Sequence, residues 1–309
     1  MSAGDIAGTI ARVAPAKPRK RFSMGEKAGF FLVLPFLVVF FLVLVVPIFY
    51  ALWLSLFRDT LIGGTRFVGI ENYIKVALDS RFWSGVLNTL LYGAILIPLV
   101  IGLSTLSGLV LDSRRLPWVG FFRIALFIPY TFPGVIAALI WGYMYGPAFG
   151  PITQIAKSMG WPAPPLLGDT WILFAIANIT LWELLGYKTL IVFTGLKAIP
   201  PELEEATTID GGSALQYALR IKIPLVAGAI VLNAVYSIIG TLQLFNQPAI
   251  LQPMTPAVIT DSFTPNLYAR NLAFVAQQYN YAGAVAFVLA TMIAVISFLV
   301  ITLTARKSD

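Results

Sequence analysis

Neither cysteine nor histidine occurs among the 309 residues. Thiolate and imidazole chemistry are lost together, which excludes the usual zinc sites, cysteine nucleophiles, Ser-His-Asp triads and any structural disulfide. Charge is also scarce: 11% of residues are Asp, Glu, Lys or Arg, against about 25% in an ordinary soluble domain. No Gly-x-x-x-x-Gly-Lys-Ser/Thr loop exists. The stretch from Gly150 ends in Lys157-Ser158 but has no glycine before the lysine, so the chain is expected to hydrolyse no ATP itself and to bind no cofactor or metal.

What is abundant is apolar: 58% of residues are hydrophobic, and the mean hydropathy is +0.84. Runs long enough for the roughly 20 residues a helix needs to cross a bilayer lie at 28–56, 86–111, 119–145, 171–193, 225–244 and 281–304. In lipid each backbone group must be bonded within its own segment, so these runs are expected as helices. The predicted fold class is an all-α polytopic membrane protein with six transmembrane helices. The net charge of +7 reads as a topology signal and not as a nucleic-acid surface. With the amino terminus inside, fifteen of the 21 Lys and Arg residues face the cytoplasm, and Arg58, Arg66, Lys75, Arg81, Lys157 and Arg270 lie outside. Both termini are then cytoplasmic. Residues 1–27 are expected as a disordered basic tail, since the apolar run behind them is too long for a signal peptide. Residues 28–305 form the transmembrane domain, and 306–309 a short second tail.

The outer connections 58–85, 146–170 and 246–280 are long and rich in Pro, Gly and aromatics. Trp83, Trp161 and Trp171 sit near the expected interface, as an aromatic belt or as part of a docking surface. Pro98, Pro129 and Pro133 fall in or near the second and third runs, where helices kink or unwind. The inner connection 195–224 differs. Pro200 and Pro201 suit a helix start, Glu202, Glu204 and Glu205 favour the positive end of its dipole, and Asp210-Gly211-Gly212 breaks it. A second helix is expected from Ser213 to Lys222, ahead of Pro224. Together these make a polar helical hairpin, or else a solvated loop capped by carboxylates.

This stretch, Gly195-Leu196-Lys197-Ala198-Ile199-Pro200-Pro201-Glu202-Leu203-Glu204-Glu205-Ala206-Thr207, then Ile209-Asp210-Gly211, Gln216, Ile221 and Ile223-Pro224, resembles the EAA loop of bacterial ABC importer permeases. More narrowly it is similar to the carbohydrate-uptake group of the maltose, lactose and glycerol-3-phosphate permeases. Similarity of hydropathy and spacing runs over about residues 28–305. Thr207, Ala218 and Ile223 depart from the family pattern, and Gln252-Pro253-Met254 stands near where the family has Gly-Gly-Pro. The resemblance implies a cytoplasmic coupling helix between helices 4 and 5, seated in a cleft of a partner ATPase, with Glu205, Ala206, Thr207, Asp210, Gly211 and Pro224 as the coupling residues. It also implies the other partners: two ABC ATPase subunits using ATP and Mg, a second homologous permease, an extracytoplasmic solute-binding protein and the bilayer of a bacterial inner membrane.

A solute path is sought on two stripes. Thr180, Glu183 and Tyr187 share one face of the fourth run, and Ser237, Gly240, Thr241 and Leu244 form a stripe on the fifth. The resemblance puts both on positions that face the sugar in the maltose permease, which has Asn in place of Thr180, Thr241 and Leu244. Small polar residues are equally the glue of packed helices. An ionised Glu183 in lipid costs at least a few kcal/mol; a pair with Lys188 or a hydroxyl, contact with the solute and an interfacial position all answer that cost. Gln243, Asn246 and Gln247 add polar groups near the outer mouth. The expected function is the permease subunit of an ATP-driven importer of a sugar or sugar-like solute. The alternatives are a glycerol-phosphate or other polar cargo, an ion-coupled carrier with Glu183 as ion site, and a membrane enzyme using Glu183 and Asp261.

Overall fold

The computed structural model describes the backbone of residues 24–60, 63–113 and 116–305, and the side chains of 29–302 within those stretches. The expected tails, up to residue 23 and over 306–309, lie outside the described residues. So do Arg114 and Arg115, which count towards the charge bias. The chain divides into residues up to Tyr50 and residues from Ala51 onward.

The first unit is helix. Met24–Phe40 passes through one π turn, Phe41–Val45, into Val46–Ser55, so helix begins inside the stretch expected as tail. Its large apolar side chains are exposed along almost the whole length, the pattern of a segment whose solvent is hydrocarbon. The π turn ends two residues before Pro47, and a second one, Ala218–Lys222, ends two residues before Pro224. Proline's ring clashes with the carbonyl four residues back and leaves it without a donor; a widened turn at that point accommodates both defects.

The second unit is built on Ser80–Asp112, a helix of 33 residues, and Ile172–Lys197, of 26 residues. They run parallel, since Tyr92 meets Thr180 near one end and Gly108 lies under Val192 near the other. Ala227–Leu242 crosses them antiparallel, and Tyr279–Ala305 closes the bundle beyond it. Among the described residues, four helices are long and apolar enough to cross a bilayer, or up to six if each of two bent pairs is one span. The third run, expected as one helix over 119–145, is such a pair: Val119–Thr131 and Gly134–Met144 meet at 97°. Pro133 cannot donate and disfavours helical geometry at Phe132, and Phe132 is indeed extended. The fifth run breaks at Val226, where Ala214–Leu225 and Ala227–Leu242 meet at 65°.

The expected all-α class needs a small correction. Phe57–Thr60 and Gly64–Phe67 pair antiparallel, Phe57 opposite Phe67. The long outer connections carry short helices as well, Glu71–Leu78, Pro151–Ser158, Asn246–Leu251 and Pro265–Phe274. Amphipathic turns such as these bury one side on the bundle: Val76, Tyr268 and Leu272 pack with Phe82, Tyr281 and Val285.

Asp79 ties this end together. Its Oδ1 caps the 33-residue helix by accepting from the Arg81 N–H at 2.9 Å, and its Oδ2 accepts from the hydroxyls of Tyr268 and Tyr281, each at 2.6 Å. Burial alone would raise the carboxyl, but these donors favour the charged form and hold it below its ordinary value. Burial and the adjacent carboxylate push the Tyr268 phenol up to about 12. A carboxyl lowered on folding adds stability above its unfolded value, about 3.9, and that contribution is lost as pH falls through the lower folded value. Asp79→Ala is therefore expected to cost about 3 kcal/mol near neutral pH, from the lost cap and the two stranded phenols. Unfolding in detergent should show the gap to wild type narrowing below about pH 4; a gap that stays constant into acid contradicts this account.

Candidate functional site

The Ile172–Lys197 helix buries 12 of its 26 residues and ends beside a polar hairpin. Pro201 is the N-cap of Glu202–Ile209, and Glu202, Glu204 and Glu205 fill its first turn. Asp210 is the C-cap and Gly211 follows at φ 76°. The Gly212 N–H bonds the Thr207 carbonyl at 2.9 Å and the Gly211 N–H that of Thr208 at 3.1 Å. This is a Schellman motif, for which glycine at the left-handed position is the favoured residue. A capping box then starts the second limb: the Gln216 N–H bonds Ser213 Oγ at 3.2 Å, and the Ser213 N–H bonds Gln216 Oε1 at 2.7 Å. The Ser-x-x-Gln spacing was there to be read and was missed.

Of the six residues expected to couple, Glu205, Ala206, Asp210, Gly211 and Pro224 are exposed. Thr207 is half-buried and donates to the Leu203 carbonyl at 2.7 Å. Ile209 is 85% exposed and Leu215 67% exposed, so the tip of a polar hairpin carries two bare aliphatic side chains. At its root, Asp112 meets Lys197 at 2.8 Å and Lys222 at 2.7 Å. Asp112 gave no signal in the sequence beyond being a lone carboxylate at the end of an apolar run.

Deeper in the bundle, Thr180, Ser237, Gly240, Thr241 and Leu244 come together with Gln243, Asn246 and Gln247 around one cavity of about 250 Å³. Tyr92, not singled out beforehand, completes the wall and donates its O–H to Thr180 Oγ1 at 2.9 Å. Thr241 Oγ1 is buried with no hydrogen-bond partner among the described residues. Among the described residues, no Lys or Arg lines this cavity.

Glu183 and Tyr187 stand apart from that wall, towards the broken third run. The Glu183 carboxylate and the Asn246 amide both lie within about 4 Å of the point where Gly134 would carry a Cβ, and Tyr187 stacks on Tyr130 with centroids 4.7 Å apart. The bend packs closely because Gly186 presents bare backbone to the Leu126 carbonyl, where any Cβ would collide. Lys188, one expected partner of Glu183, instead donates to the Asn233 carbonyl at 3.2 Å, while Asn233 Nδ2 returns a bond to the Lys188 carbonyl at 3.0 Å. Asp261 accepts from Gln252 and Asn271 in its own loop, which leaves the two-acid enzyme reading without support.

No family model matches the sequence. Among proteins of known description, the chain is 30% identical over 246 residues to the trehalose/maltose transport system permease protein MalF of Thermococcus litoralis, covering 77% of this chain and 81% of that one. It is 27% identical over 292 residues to a probable starch degradation products transport system permease protein, AmyD, of Thermoanaerobacterium thermosulfurigenes, covering 92% and 99%. Its fold matches a chain from the crystal structure of a bacterial alginate ABC transporter in complex with an alginate pentasaccharide-bound periplasmic protein. There the TM-score is 0.81 at 17% identity, over 92% of this chain and 96% of that chain. With 30% identity across four-fifths of a relative and a matching fold, the chain belongs to the ABC transporter permeases of the carbohydrate-uptake family.

Proposed function

We infer that this chain forms half of the membrane path of an ATP-driven importer for a sugar or sugar-like solute. Six spans with both termini in the cytoplasm put the hairpin at 202–225 on the cytoplasmic face, between the fourth and fifth spans. The observation that carries this reading is the hairpin itself. It is stiffened by a Schellman turn and a capping box, yet it leaves Glu205, Ile209 and Leu215 exposed. Solvated loops gain nothing from bare aliphatic side chains; a helix seated in a partner's cleft buries them.

The partner is an ATPase pair that supplies the nucleotide and Mg chemistry this chain lacks. Closure of the ATPases on ATP carries the hairpin with it, and rigid-body rotation of the attached spans exchanges inward- and outward-facing states. A second, homologous permease supplies the other half of the path. At the opposite face, a hollow of about 770 Å³ edged by Arg58, Glu71, Lys75 and Arg81 is offered to a solute-binding protein.

The cavity supports a sugar as cargo. Sugars are recognised by hydroxyl and amide hydrogen bonds with an aromatic ring against their apolar face; Thr241, Thr180, Gln243 and Asn246 supply the first, and Tyr92 and Tyr236 the second. A glycerol phosphate would call for Arg or Lys at its anion, and the lining has neither.

Two outcomes test this. In vesicles containing the whole transporter, Glu205→Ala and Gly211→Pro should each reduce uptake per ATP hydrolysed by about tenfold, the second by forcing φ to about −65° where the turn needs a positive value; full uptake in both variants removes the coupling role. Thr241→Val keeps the shape of the side chain but deletes its free hydroxyl, so half-saturating sugar should rise about fivefold. An unchanged value would mean that the solute passes elsewhere.

A further inference from the structure

The root of the hairpin holds an arrangement that helix chemistry alone would not select. Asp112 lies in the last turn of the Ser80–Asp112 helix, where the negative end of the dipole disfavours a carboxylate. Its side chain is also only 9% exposed, which an unpaired charge does not tolerate. Two ammonium groups compensate. Lys197 approaches Oδ1 at 2.8 Å and Lys222 approaches Oδ2 at 2.7 Å, one oxygen for each lysine.

The two lysines are the two ends of the hairpin. Lys197 is the last residue of the helix entering it, and Lys222 closes the π turn leaving it. Lys222 is itself 12% exposed and lies over the ring of Tyr217 at 4.9 Å. Without the carboxylate, two like charges would share this pocket and push the limbs apart. The same helix carries Tyr92 at the cavity, twenty residues or about 30 Å away.

We propose that Asp112 is the positioning residue of the hairpin: its carboxylate bolts both limbs, through Lys197 and Lys222, to the Ser80–Asp112 helix, so that displacement of the hairpin reaches the cavity wall at Tyr92. This rests on the coupling reading of the hairpin and adds a third helix to its output. A helix joined only by packing can slip when its neighbour moves; one held by a two-sided charge-assisted clamp moves with it.

The test uses the complete transporter with its ATPase, reconstituted in vesicles, and reads solute taken up per ATP hydrolysed. Asp112→Asn, which keeps the shape and loses the charge, is expected to lower this ratio about fivefold or more, at the low end of coupling free energies between sites. Asp112→Glu restores the charge and should retain most of the ratio. If Asp112→Asn yields too little complex, Lys197→Gln opens one side of the clamp without stranding a buried charge, since Lys197 is 57% exposed; it should lower the ratio about threefold. A reduced yield of complex with an unchanged ratio means that the triad only holds the fold, and overturns the proposal. So does an Asp112→Glu variant as uncoupled as Asp112→Asn, because charge is then not the cause. Glu205→Ala measured alongside separates the two claims. If it uncouples while the Asp112 and Lys197 variants do not, the clamp alone fails; if it too is without effect, the coupling reading fails first.

Discussion

The Ser80–Asp112 helix is fastened by a carboxylate at each end, and most of the second unit hangs from those two points. Asp79 gathers the phenols of Tyr268 and Tyr281, and Asp112 gathers the ammoniums of Lys197 and Lys222. The reason is set by the solvent. In hydrocarbon, apolar side chains gain little by leaving lipid for one another, so packing fixes the middles of helices only loosely. Directional bonds do the locating, and they are cheapest at the polar ends, where charge need not be carried into lipid.

Between those ends, close packing replaces bonding. Gly108 lies under Val192, Gly93 under Thr241, and Gly186 against the Leu126 carbonyl. Small residues at these points let backbones approach. The break at Phe132 and Pro133 is exposed on this chain, and irregular backbone at membrane depth needs protein or a water-lined cavity beside it. Here Phe132 stacks on Trp182 and Gly134 stands beside Glu183. The polar wall around Tyr92, Thr180 and Thr241 is thus assembled from three helices whose relative positions are set elsewhere. Under the proposed coupling, a motion applied at the hairpin would reach a cavity that the hairpin itself never touches.

Much of this was legible in one dimension. Helix existence followed from long apolar runs, and the observed helices at 29–55, 80–112, 172–197 and 279–302 contain or nearly match the expected ones. Gly211 declared its turn because the left-handed conformation it adopts is costly for other residues. Pro133 marked a break, though nothing in the run foretold a bend of 97°, which packs closely only because Gly186, far along the chain, leaves room for the Leu126 carbonyl. Thr180 and the stripe of Ser237, Gly240 and Thr241 were found as helical faces, although Leu244, expected on the same stripe, lies beyond the helix end at Leu242; Tyr92 was not found, since it looks like any aromatic in an apolar run until Thr180 is set beside it.

What the sequence by itself determined is local: which stretches are helical, where the hairpin turns and which faces are polar. These follow from hydropathy, periodicity and the conformational limits of Gly and Pro, which act within a few residues. What only the tertiary structure decided is pairing. Lys188 could have met Glu183 on its own helix and instead exchanges bonds with Asn233, 45 residues away. Asp112 and Lys222 are separated by 110 residues. A charge can be satisfied by any opposite charge or dipole within reach, so composition leaves its partner open until the packing of helices removes the alternatives.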